Sequence, residues 1–346
     1  MNTLRRTVLS TLAAGFLAAL LPQAHAADFT FRLQQFLPQQ AAIPAKAIAP
    51  WAQKIEKDSG GRIRIQLFAN MTLGGKPPEL LDQVKDGVID FAWIVLGYTP
   101  GRFPKSEVFE LPFMSGEPEQ SSRAFYEYVT KNSIDEFKDV HLITVHTHGP
   151  GLFHSRDPIA KLEDLKGMKV RGGSRIINMM LEQLGATPVG MPVPAVGESL
   201  SKGVISAATV PWEVAPSVKL HQIVKNHTGF SGNRGLYTQT FALIMNKASY
   251  DKLPADLKKV VDSNSGPDVA AAFGRAMIAA DAEGMDLAKK AGNRIVTLDE
   301  AETQRWKRSA AGVRALWYKE VGDKGIDGQK LAAEAERLVE QYTKTK

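Results

Sequence analysis

The residues best equipped for chemistry lie in Gly167-Met-Lys-Val-Arg-Gly-Gly-Ser174, a short strand that delivers one arginine into a turn opening a helix. Met168 and Val170 read as strand positions, Gly172 and Gly173 bend the backbone, and Ser174 can cap a helix starting at Arg175. An anion placed there would meet the Arg171 guanidinium and the free N–H groups of a helix start together, which is chemistry for holding a carboxylate. The alternative is a surface arginine beside a turn. His146, His148 and His154 form a second group. The first two lie two apart on a predicted strand, and three imidazoles can ligate zinc; such residues are more often satisfied by backbone or water, and His148 can instead donate to a ligand. Trp212-Glu213 places a carboxylate where it could carry a cation or pair with Arg171. No nucleophile elbow, phosphate loop, zinc helix motif or dinucleotide fingerprint falls at a strand-to-helix junction, so Ser174 reads as a cap and no catalytic residue is assigned.

The elements that must position these residues follow from periodicity. Phe29–Phe36 and Arg62–Phe68 alternate as half-buried strands, and Val88–Val95 is nearly continuously apolar, as in a buried parallel sheet. Helices are predicted over 45–59, 78–86, 119–131, 176–184, 256–263, 268–291, 300–319 and 328–342, with further strands at 140–146, 186–193, 204–210 and 236–245. Alternating strand and helix gives two doubly wound α/β domains.

Composition limits the function classes. The chain has 346 residues, 44% hydrophobic and 23% charged, ordinary globular usage for about two domains. Arg5 and Arg6, the apolar stretch from Val8 to Leu21 and Ala24-His25-Ala26 read as a signal peptide cleaved after Ala26, which predicts a periplasmic protein. Thr7-Val8-Leu9 lacks the phenylalanine usual after twin arginines, which favours Sec export. Losing Arg5 and Arg6 lowers the net charge from +6 to +4, spread along the chain, which argues against nucleic acid. No later run is apolar enough to insert the mature chain in a membrane, and the absence of cysteine removes disulfides and thiolate chemistry.

Taken as a set, Lys85-Asp-Gly-Val-Ile-Asp-Phe91, Phe109-Glu-Leu-Pro-Phe113, Leu162-Glu-Asp-Leu-Lys-Gly-Met-Lys-Val-Arg171 and Leu253-Pro-Ala-Asp-Leu-Lys-Lys-Val-Val261 resemble the extracytoplasmic solute receptors of TRAP transporters, the DctP family. The resemblance covers the mature chain. It implies a two-lobed type II periplasmic binding-protein fold with hinge strands and a long lobe-spanning helix, for which 268–291 has the length. It places lobe I at 27–148 and 237–277, lobe II at 149–236 and 278–346. It also implies delivery of a small organic acid to membrane permease subunits, with Arg171 in a paired contact to the ligand carboxylate; a monomer without cofactor is a separate expectation. Sialic-acid-type members carry a second arginine near Gly151 and polar side chains near Phe36, Val95 and Val210; this chain has none of these. With Trp93, Phe153, Val193 and Trp212 also assigned to the pocket, beside Ser174, His148 and Glu213, the ligand is predicted to be a monocarboxylate with an aromatic or branched apolar body, of benzoylformate, mandelate or pantoate type. Other classes considered are a periplasmic hydrolase of an ester or amide of such an acid, and the ligand-binding part of a chemosensory system.

Overall fold

The computed structural model describes residues 27–344, so the predicted signal peptide lies outside the described residues. The chain starts with β1 (Phe29–Gln34), which buries Phe31 and Leu33 and exposes Thr30 and Arg32. A π-helical turn at Pro44–Ile48 runs into α1 (Ala49–Asp58), which buries Trp51 and Ile55 and is stopped by Gly60 and Gly61, both at positive φ. β2 (Ile63–Phe68), α2 (Leu80–Lys85), β3 (Phe91–Val95), α3 (Pro118–Tyr128) and β4 (Val140–Thr147) follow. β3 is buried at every position, because it lies between β1 on one side and a returning antiparallel strand on the other.

After β4 the chain enters a second sheet through β5 (Leu152–Ser155), β6 (Lys169–Gly172), α4 (Arg175–Gln183), β7 (Thr187–Gly190), α5 (Val196–Ser201), β8 (Ala207–Val210), α6 (Leu220–Ile223) and β9 (Asn226–Phe230). It returns as β10 (Thr240–Asn246), followed by α7 (Lys247–Asp251) and α8 (Ala255–Ser263). The 24-residue α9 (Pro267–Lys290), about 36 Å long at 1.5 Å per residue, then leads back to the second sheet through β11 (Arg294–Leu298). α10 (Glu300–Ala310), α11 (Gly312–Gly322) and α12 (Gly328–Lys344) end the described chain.

The first sheet has the order β2-β1-β3-β10-β4 and the second β11-β9-β5-β8-β6-β7. In each, a strand arriving from the other lobe runs antiparallel between its neighbours: β10 between β3 and β4, and β5 between β8 and β9. Residues 148–151, residues 231–239 and α9 each cross between the lobes, and the chain crosses once more between α11, packed on α4, and α12, packed on α3. α9 packs on α3 and β4 of the first lobe. Farther along, Gly284 lets the Trp212 carbonyl lie against it; a Cβ there would stand 2.1 Å from that oxygen.

Several expectations need correction. The predicted helix 300–319 is two helices, broken at Ala311. Strands β9 and β11 were not anticipated; β9 reads Asn-His-Thr-Gly-Phe and has no apolar alternation. The predicted strand 236–245 forms only from Thr240, the residues before it being a crossing segment. Assigning everything from 278 onward to lobe II also fails for α12, which packs on α3 of lobe I, with the Tyr342 hydroxyl donating to Glu127 at 2.7 Å.

Candidate functional site

β6 places Arg171 opposite Ala208 of β8, inside lobe II and fully buried. Its Nε donates to the Met191 carbonyl and its Nη1 to the Thr209 carbonyl, each at 2.9 Å, and Thr209 Oγ1 donates back to the Arg171 carbonyl. The guanidinium is thereby fixed in place by backbone. Its other terminal nitrogen, Nη2, is buried with no hydrogen-bond partner, and the side chain makes no ion pair among the described residues. A buried donor left empty costs about 1–3 kcal/mol, and more on a charged group. The hydroxyls of Tyr98 and Tyr237 sit within the field of this charge, and the Tyr237 hydroxyl is likewise buried without a partner. Nearby Glu110 is occupied on one side: Oε1 accepts from the N–H and hydroxyl of Thr240, while burial pushes its carboxyl up to about 7. The arrangement is a fixed positive group with unspent hydrogen-bonding capacity.

A narrow, nearly filled cavity lies between the lobes. Lobe I lines it with Phe36, Trp93, Val95, Tyr98 and Phe241, and lobe II with Val193, Val210 and Glu213; His148 and Gln239 come from the crossings. Arg171 is not on the lining itself; it stands behind it, held by the residue preceding Val210 and adjoined by the wall residue Tyr98. The lobe I wall is a row of parallel rings. Phe36 stacks on Trp93 at 4.9 Å and 7°, and Trp93 stacks on Phe241 at 5.2 Å and 7°. The row is fixed from behind, where Trp93 Nε1 donates to His146 Nε2 at 2.8 Å.

The lobes are closed on each other. The Val193 N–H of lobe II donates to the Tyr98 hydroxyl of lobe I at 2.9 Å, Gln239 Nε2 donates to the Gly173 carbonyl at 2.9 Å, and Arg175 pairs with Glu107.

Five of the sequence-derived assignments are corrected by this geometry. Phe153 points to the core of lobe II, edge-on to Trp306 of α10, because its position in β5 faces the helix layer. Trp212 is held between His154 and His227, with ring centroids 5.0 and 4.8 Å away, and does not line the cavity. Gly151 lies behind Tyr237: a Cβ there would stand 2.2 Å from that ring, so the glycine seats the tyrosine instead of opening the pocket. Ser174 accepts from the Ile177 N–H and caps α4, outside the lining. His148 lines the cavity but has no donor to offer, since Nδ1 faces the Gly149 carbonyl and Nε2 accepts from the Gln239 N–H at 3.0 Å. Burial lowers its pKa to about 3, so it stays neutral. Nor do His146, His148 and His154 converge, and among the described residues no cluster of three or more His, Asp or Glu side chains could hold a metal ion. Tyr98, Tyr237, Gln239 and Phe241 were missed by the sequence reading.

Comparison with known proteins agrees with this architecture. The DctP family, described as bacterial extracellular solute-binding protein family 7, matches residues 36–320. A TRAP solute-binding protein of Rhodoferax ferrireducens in complex with copurified benzoate is 44% identical, covers 91% of this chain and 98% of its own, and superposes with a TM-score of 0.90. A marine metagenome TRAP solute-binding protein, specific for aromatic acid ligands and solved with metahydroxyphenylacetate, is 45% identical, with 91% and 99% covered and a TM-score of 0.89. A Bordetella bronchiseptica TRAP periplasmic protein with bound (R)- and (S)-mandelate is 29% identical, with 90% and 99% covered and a TM-score of 0.83. These are solute receptors and not enzymes, and receptors of this family are periplasmic and work with membrane permeases. With its two antiparallel-crossed lobes and an inter-lobe cavity backed by a buried arginine, the chain belongs to the DctP family of TRAP-transporter solute-binding proteins.

Proposed function

We propose that this protein captures an aromatic monocarboxylate in the periplasm and presents it to the permease of a TRAP transporter, after signal-peptide cleavage behind Ala26. The reading is carried by one observation: Arg171 Nη2 is buried and unpartnered beside a cavity walled by parallel rings. A carboxylate would satisfy that donor through a charge-assisted bond, and a flat apolar body suits the ring-lined wall. A dicarboxylate or polyol would bring polar groups against Phe36, Val95, Val193 and Val210, where they find no partner. Relatives holding benzoate, metahydroxyphenylacetate and mandelate support the aromatic body over the branched aliphatic one. Contacts from both lobes favour the closed state, and closure is what a permease would recognise.

The test is a thermal-shift and calorimetric screen of the mature protein against benzoate, mandelate, benzoylformate, pantoate and malonate. The aromatic acids should raise the melting temperature and bind at a one-to-one ratio, because a ligand bound only by the native state stabilises it. Tighter binding of pantoate or malonate than of every aromatic acid would contradict the reading.

A further inference from the structure

The cavity wall holds one polar group that the carboxylate anchor does not use. Glu213 is only 5% exposed and borders the cavity, three residues beyond Val210 at the end of β8. Its backbone is fixed: the Glu213 N–H donates to Asp281 Oδ1 of α9 at 2.7 Å, and the preceding Trp212 is clamped between two histidines. Its carboxyl group, in contrast, accepts no hydrogen bond and makes no ion pair among the described residues.

Each of the other polar side chains on the wall already makes at least one hydrogen bond. Gln239 Nε2 donates to the Gly173 carbonyl, both His148 nitrogens are engaged, and the Tyr98 hydroxyl accepts from the Val193 N–H. Burial, with Asp281 adding to it, pushes the Glu213 carboxyl up to about 8, so near neutral pH it is largely a carboxylic acid. Such a group has one donor and spare acceptor capacity. A hydroxyl offers the same pair in complement, whereas an unsubstituted ring would leave the acid buried and unsatisfied. Among the described residues no cluster of further acidic or imidazole side chains converges on it to suit a metal ion.

We propose that Glu213 is a specificity-determining residue that hydrogen-bonds a hydroxyl on the body of the ligand, making hydroxylated aromatic monocarboxylates the preferred substrate class. This rests on the aromatic-acid reading above. Calorimetry at pH 7 with benzoate and 2-, 3- and 4-hydroxybenzoate tests it on the wild-type protein and on Glu213→Leu and Glu213→Gln. At least one hydroxybenzoate should bind ten times or more tightly than benzoate. Glu213→Leu should bring that ratio close to one, and Glu213→Gln, which keeps both a donor and an acceptor, should retain part of it. A purely structural role would lower both affinities and leave the ratio unchanged, which would overturn the proposal. So would a wild-type protein that prefers benzoate to all three isomers, a result needing no variant to fold. Failure to bind any of the four acids would overturn the aromatic-acid reading itself, and this inference with it.

Discussion

The two walls of the cavity are built on different principles. Lobe I contributes stacked rings, Phe36, Trp93 and Phe241, brought together from the end of β1, from β3 and from β10 and pinned by the Trp93–His146 hydrogen bond. Lobe II contributes three valines, Val193, Val210 and Val214, and the buried Glu213 carboxyl group, with the Arg171 guanidinium behind them. One wall supplies shape, and the other supplies charge and hydrogen-bonding capacity. On the proposed reading neither wall would hold an aromatic acid alone, which would make recognition and closure the same event.

The sharpest way to break this comparison is to remove the charge. Arg171→Ala should weaken benzoate binding by about 2–5 kcal/mol, the usual cost of leaving one partner of a buried charged contact alone, and circular dichroism should show the fold retained. A loss under tenfold by calorimetry would take the anchor away from lobe II. Next comes the residue between the walls. Gly151→Ala puts a Cβ 2.2 Å from the Tyr237 ring, and should cost about 1–3 kcal/mol of stability by overpacking while pushing the ring toward the cavity; an unchanged melting temperature would contradict the packing described. On the shape side, Phe36→Leu should cost about 0.5–1.5 kcal/mol of affinity for benzoate and less for pantoate, narrowing the preference for aromatic acids. Equal losses for both would show that the ring row is not a selectivity element.

The smallest effect is on pH dependence, where the two kinds of buried group oppose each other. Burial raises Glu110, Glu136 and Asp281 to about 7 and Glu213 to about 8. Carboxyl groups so shifted hold protons in the folded state that the unfolded chain has released, so they lose stability as pH rises from about 4.5 to 8. Burial lowers His146 and His148 to about 3 and His227 to about 4, and holds His154 well below its usual value. These imidazoles lose stability as pH falls below 6.5. The opposing slopes overlap between about pH 4.5 and 6.5. The melting temperature should therefore be nearly flat across that window and fall on either side, most directly between pH 6.5 and 8. A steady rise through pH 8 would be contrary.

How far this was readable from the sequence depends on how local each signal is. Arg171 was legible because its strand, glycine turn and cap lie within eight residues. Phe36 and Val95 were assigned from the family resemblance and Trp93 from its closeness in sequence to those positions; all three line the cavity. Tyr98, Tyr237 and Phe241 were not assigned, since Tyr98 sits in a 3₁₀ turn and Tyr237 in a crossing without periodicity. Phe153 and Trp212 show the opposite error: aromatic residues next to pocket positions were read as pocket. The register of β5 turns Phe153 to α10, and His227, 15 residues from Trp212 in sequence, closes around its ring. The place of α12 against lobe I depends on contacts with α3, about 200 residues earlier, which no local pattern encodes.

The central claim is that a single buried positive group selects a single negative one. Titration of benzoate and of benzamide, a neutral molecule of the same shape, into the mature protein tests it most directly. Benzoate should bind with a clear heat and one-to-one stoichiometry while benzamide binds at least a hundredfold more weakly. Comparable affinities for the two would mean that Arg171 does not anchor the ligand.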